Sequence, residues 1–154
     1  MNARTISEHA LHHPPVLRVG DTVETAVRTV LDSGMPALAA VDDRERFAGI
    51  FGEREFMSAL FPGYLRELRH TGFLRRSLDE ALETREGGRH EPIGQYLTTD
   101  HVEVAPDFSD VAVAEIFLHH RVLVVPVVDA GRVEGLLLRR DFYRALAQRF
   151  LERR

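Results

Sequence analysis

The chain contains no cysteine, which excludes a disulfide framework, a thiolate metal site and a cysteine nucleophile. It has no apolar run long enough for a signal peptide or a membrane span, so the expectation is a cytoplasmic protein with no membrane partner. The G-x-S-x-G elbow, the H-E-x-x-H pair and the phosphate-binding P-loop are all missing. Isolated Ser, His and Asp residues assemble no catalytic constellation, and the expectation is a protein that is not an enzyme. A formal charge of −4 argues against a general nucleic-acid footprint, although Arg149, Arg153 and Arg154 make one end locally basic.

What the chain does have is an internal repeat. Gly49 to Phe56 aligns without a gap with Gly135 to Phe142, and Ala59-Leu60 keeps step with Ala145-Leu146 at the same offset of 86 residues. The match extends backwards with small slips where turns change length: Val41-Asp42 pairs with Val128-Asp129, Ala26 with Ala112, and Val19 with Val104. The chain therefore holds two copies of roughly fifty residues. Each would be marginal alone, so the halves should pack on each other as one structural unit.

Both copies carry the same order of local signals. Val16 to Val19 is a short apolar run, and Asp21-Thr22-Val23-Glu24 has the form of a helix start. Val23, Ala26, Val27, Val30 and Leu31 then follow the spacing of one buried helical face, ending at Gly34. Ala37 to Val41 and Phe47 to Phe51 read as strands, and Glu53 to Leu60 as a helix. The second copy repeats this with Val102 to Val104 as a strand, then Asp107 and Asp110 as the helix cap. Phe108, Val111, Ala112 and Ile116 are its expected buried face. Leu123 to Val128 and Val133 to Leu138 form a strand pair turning at Asp129-Ala130-Gly131-Arg132, and a last helix runs from Arg139 through Phe142, Leu146 and Phe150. The fold class is therefore α+β, with tandem β-α-β-β-α repeats.

The stretch from Phe61 to Glu91 is long for a connection. Pro62-Gly63 breaks the preceding helix, and Ser77-Leu78-Asp79-Glu80 opens another that Gly87-Gly88 should end. Phe61, Tyr64, Leu65, Leu68, Phe73 and Leu74 make it too apolar for a free tether. It reads as a helical insertion packed over the repeats or across a dimer contact.

Val125-Pro126-Val127-Val128-Asp129, then Gly135 and Asp141 six residues after that glycine, resembles the cystathionine β-synthase (CBS) domain, and the doubled pattern resembles a tandem CBS pair. The division expected is a first repeat at 5–60, a helical linker at 61–91 and a second repeat at 92–150. The resemblance implies an adenosyl ligand in the cleft between the copies, whether AMP, ADP, ATP, S-adenosylmethionine or a dinucleotide. Asp141 takes the ribose hydroxyls, because a carboxylate accepts two donors side by side. Arg139 and Arg140 stand beside a phosphate, Val125 and Pro126 touch the adenine, and His120 and Arg121 end a helix within reach of a phosphate.

The sequence departs from the family pattern where a Thr or Ser is usual, holding Leu138 in the second copy and Gly52 in the first. Glu55 stands at the ribose position of the first copy, with Glu53 beside it, which makes that site the poorer of the two. His9, His12 and His13 have helical spacing, but Pro14-Pro15 comes directly after them and no metal motif is completed, so they read as surface histidines. Two functions remain open. One is a regulatory module that senses an adenine nucleotide and acts through homodimer formation or contacts with a protein partner of unknown identity. The other is a structural dimerisation module whose ligand sites are degenerate.

Overall fold

A computed structural model describes residues 5–61 and 78–153. Its elements in chain order are α1 (Ser7–Ala10), β1 (Leu11–His12), β2 (Leu17–Arg18), α2 (Val23–Ser33), β3 (Ala37–Val41), β4 (Phe47–Gly52) and α3 (Glu53–Leu60). Next come α4 (Leu78–Thr84), 3₁₀ turns at Glu86–His90 and Ile93–Tyr96, α5 (Asp110–His119), β5 (Val124–Asp129), β6 (Arg132–Leu138) and α6 (Arg139–Glu152). The mixed α/β order of two repeats is as expected.

Local chemistry explains most boundaries. The Thr22 side chain, rather than Asp21, caps α2 by accepting from Thr25 N–H at 3.1 Å, while Asp21 accepts from Arg18 N–H. Gly34 ends the helix in the left-handed conformation with φ 71°. The β5–β6 hairpin turns on Ala130 and Gly131, with φ of 51° and 83°, the pair of positive angles that matches the strand twist. Both hairpins carry a register shift at the same place, between Ala40 and Val41 and between Val127 and Val128.

The strands form two three-stranded sheets, ordered β2-β3-β4 and β1-β6-β5. The second is not built from its own repeat alone. β1 precedes the first repeat's strands, yet it pairs antiparallel with β6, Leu11 opposite Leu137 and His12 opposite Leu136. The reciprocal crossing is made by Thr98, which bridges Ile50 of β4 through two backbone hydrogen bonds of 3.0 Å. The core has the same plan. Leu38 and Phe51 of the first copy share one cluster with Val124, Leu136 and Leu138 of the second. A smaller cluster holds Ala10 with Phe108, Val113, Val125, Val127, Leu137 and Phe142.

Several expectations need correction. Val102 to Val104 is not a full strand; Val104 alone bridges Val127. Ser109 caps α5 by accepting from Ala112 N–H, and the Asp110 carboxylate instead accepts from the N–H groups of Ile6 and Ser7 at 2.9 and 2.7 Å. Val111 is 77% exposed, and Val113 takes the buried position. His9, His12 and His13 share no helical face, because α1 ends at Ala10 and His12 lies in β1.

In the insertion, α4 ends before Gly87-Gly88, which sit inside the first 3₁₀ turn. The expectations for Pro62-Gly63, Tyr64, Leu65, Leu68, Phe73, Leu74 and Ser77 lie outside the described residues. The segment after α4 lies against the first copy: Arg85 Nε donates to Ala59 O at 3.1 Å, and Val23 N–H donates to Glu91 O at 2.9 Å.

Candidate functional site

The crossing strands bring a side chain from one copy onto the acidic residue of the other. His12 Nε2 stands 2.7 Å from Asp141 Oδ2. Because a carboxylate only accepts, the neutral ring presents Nε2–H as donor. In the other copy Thr98 Oγ1 donates to Glu55 Oε2 at 2.6 Å. His12 and Thr98 are separated by the same 86 residues as Glu55 and Asp141, so the two contacts are equivalent under the internal repeat.

Close crossing requires bare backbone. A Cβ on Gly135 would lie 2.8 Å from His12 O, and one on Gly49 would lie 2.8 Å from Thr98 O. The repeated glycines that open the aligned motif therefore make room for the incoming strand.

The two acidic groups differ in environment. Glu55 is buried, 7% exposed, and its second oxygen accepts from Gly52 N–H at 2.9 Å, closing the first turn of α3 on itself. Asp141 keeps 22% of its side chain exposed, and Arg140 Nε stands 3.6 Å from its Oδ1.

Among the described residues, clefts between the copies include a narrower and a wider one. Glu55, Glu53, Arg54 and Thr98 line the narrower, of about 130 Å³, facing Asp100, His101, Arg121, Val122 and Pro126. The wider, of about 650 Å³, is walled by Leu138, Arg139, Arg140 and Tyr143 of the second copy against Gly34, Met35 and Pro36 of the first, with Glu53 and Leu123 completing it.

The residues expected to share one site are thus divided. Pro126 and Arg121 line the Glu55 cleft, not the wider one walled by Arg139 and Arg140, and neither Asp141 nor His12 lines either of the two. Leu138, Arg139 and Arg140 line the wider cleft, with Met35, Pro36 and Leu123 as its apolar wall. Val125 is fully buried in the core, and the His120 backbone closes the end of α5 on Ile116 O. Neither residue lines either of these two clefts.

Sequence reasoning missed His12, Met35 and Pro36. The signal for His12 was the repeat itself, since its offset places it opposite Thr98, but the crossing of strands is not visible in local pattern. The missing hydroxyls also gain an explanation. A Cβ at Gly52 would come within 2.3 Å of Pro36 O, leaving no room for a side chain, and Leu138 is 4% exposed and part of the core. His101 stacks edge-on against Phe47 with ring centroids 4.3 Å apart, and its Nδ1 is buried without a hydrogen-bond partner among the described residues. No group of three or more metal-ligating side chains occurs among the described residues. No helix among them is long and apolar enough to cross a membrane.

Comparison with known proteins agrees with this fold. The structure resembles the CBS domain of a CBS domain containing membrane protein from Sphaerobacter thermophilus, with TM-score 0.69 and 24% identity over 93% of this chain and 91% of that one. It also resembles CBSX2 from Arabidopsis thaliana, with TM-score 0.70 and 18% identity over 96% and 97% of the two chains. A structure of CBSX2 in complex with AMP matches with TM-score 0.67 and 18% identity over 95% of this chain and 98% of that one. Among curated proteins no sequence relative was found. The family model described as CBS domain matches residues 6–62 and again 93–148, and the chain belongs to the CBS-domain family as a tandem pair.

Proposed function

We propose that the protein is a regulatory CBS-pair module that binds an adenosyl nucleotide in the wider cleft and signals through self-association or contacts with a protein partner. The observation that carries this is the asymmetry of the two clefts. A cavity of about 650 Å³ beside Arg139 and Arg140 is within the range of small-molecule sites, roughly 300–1,000 Å³, whereas the Glu55 cleft of about 130 Å³ is well below it. Asp141 follows Arg140 in the first turn of α6 and keeps 22% of its side chain exposed, which suits it to accept from ribose hydroxyls at the edge of the cleft, and the guanidinium groups of Arg139 and Arg140 suit a phosphate. The likeness to CBSX2, which has been crystallised with AMP, supports the class of ligand. Met35, Pro36 and Leu123 provide the apolar wall for the purine, in place of Val125 and Pro126.

Calorimetric titration with AMP, ADP, ATP and S-adenosylmethionine tests this. Asp141→Ala removes hydrogen bonds to a charged group, worth about 1.5–3 kcal/mol, and should weaken binding by roughly ten- to a hundredfold. Glu55→Ala should change it far less. Equal losses would show that the two clefts are wrongly ranked, and no binding by the wild type would favour a structural dimerisation module with degenerate sites. In a thermal scan, a ligand at a hundred times its Kd stabilises by about 2.7 kcal/mol, and a module without a ligand shows no shift.

A further inference from the structure

We propose that His12 is a positioning residue for the ligand, fixing the Asp141 carboxylate from the opposite repeat. The inference rests on the reading of Asp141 as the ribose acceptor. A carboxylate offers about four lone-pair directions on two oxygens. At Asp141 one is taken by His12 Nε2–H at 2.7 Å, and the Arg140 guanidinium flanks the other oxygen at 3.6 Å. Among the described residues the single hydrogen bond to the carboxylate therefore comes from His12, the Arg140 contact being too long for one, and acceptor directions remain for two adjacent hydroxyls.

The His12 side chain is 38% exposed, so it is not held by burial. Its place is set by the backbone: β1 is pinned to β6 at Leu11 and His12, and His13 Nδ1–H donates to Glu134 O at 2.9 Å one residue further on. The equivalent Thr98 makes the same crossing to Glu55 on the other side. Two copies with different side chains at this position, each meeting the acidic residue of the other repeat, point to a positional role and not to a chance surface pair. An acceptor already oriented binds without first losing side-chain freedom.

The test is calorimetric titration with AMP at a pH where imidazole is neutral, on wild type, His12→Ala, His12→Gln and Thr98→Val. His12→Ala should weaken binding about tenfold, the size of one hydrogen bond to a charged group. His12→Gln restores an N–H donor and should stay within about threefold of wild type. Thr98→Val should leave affinity unchanged. Both His12 variants should unfold in a single cooperative thermal transition without ligand, which shows that a loss of affinity is not a loss of folding. Wild-type affinity in His12→Ala, or a loss in His12→Gln as large as in His12→Ala, would overturn the proposal while leaving the nucleotide reading intact. Failure of the wild type to bind AMP, ADP, ATP or S-adenosylmethionine would overturn both.

Discussion

Asp42 and Asp141 show how one residue type serves different ends in one chain. Asp42 opens the β3–β4 turn, where its Oδ1 accepts from the N–H groups of Arg44 and Arg46 at 2.8 and 3.0 Å. Those bonds, Arg46 first and then Arg44, hold its carboxyl below the ordinary value of 3.8. A group whose pKa is lowered by folding contributes stability above its unfolded value, and that contribution is lost as pH falls through the folded one. The gap in thermal midpoint between wild type and Asp42→Ala should therefore be full at neutral pH and narrow as the pH drops below 3.8, and a gap constant down to strong acid would refute the assignment. Asp141 lies in the first turn of α6, and there one of its oxygens is bonded by a side chain from the other repeat instead of by its own turn.

Helix α5 illustrates how an amphipathic segment finds its orientation. Its sequence is apolar almost all round, and periodicity alone could not choose between Val111 and Val113. The choice is made at its start. Ser109 caps it, and Asp110 reaches the backbone of Ile6 and Ser7, which fixes the rotation that buries Val113 and leaves Val111 in solvent. Ser109→Ala should cost about 1 kcal/mol, a usual N-cap loss. Asp110→Ala should cost about 2 kcal/mol, because two backbone donors lose a charged acceptor. Denaturant midpoints measure both, and a smaller loss for Asp110→Ala would show that the tie between α1 and α5 contributes little.

Taken together, the two repeats exchange strands and share a core, so neither could release its partner without exposing Leu136, Leu138 and Phe51. Val23 of α2 belongs to this core, and Val27 and Val30 pack against it while still partly exposed. Val111, Leu118, Tyr143, Phe150 and Leu151 on α5 and α6 are each more than 60% exposed, as are Leu31 on α2 and Leu78 on α4. Five of these seven lie on α5 and α6, and exposed apolar side chains of this kind are what an association surface presents. The proposed homodimer therefore expects Phe150→Asp to shift the protein to monomer at micromolar concentration in sedimentation velocity. A monomeric wild type would refute the dimer, and a Phe150→Asp variant that stays dimeric would move the interface elsewhere.

Much of this architecture was legible in the chain. The offset of 86 residues revealed two copies, and local chemistry placed β3, β4, α3, β5 and β6 within a residue or so of their observed bounds. Turns, caps and strand runs are legible because each depends on neighbours in sequence: Gly34 needs only its own φ, and Ala130-Gly131 needs only the two strands it joins. Asp141 was singled out by the family resemblance, and with Arg139 and Arg140 it lies in the first turn of α6. The crossing of β1 onto β6, the meeting of His12 with Asp141 across more than a hundred residues, and the separation of Pro126 from the cleft walled by Arg139 and Arg140 were not legible. These depend on which backbone fits beside Gly135 and Gly49 and on how two sheets share one core. Long-range packing settles such matters, and no local pattern records it.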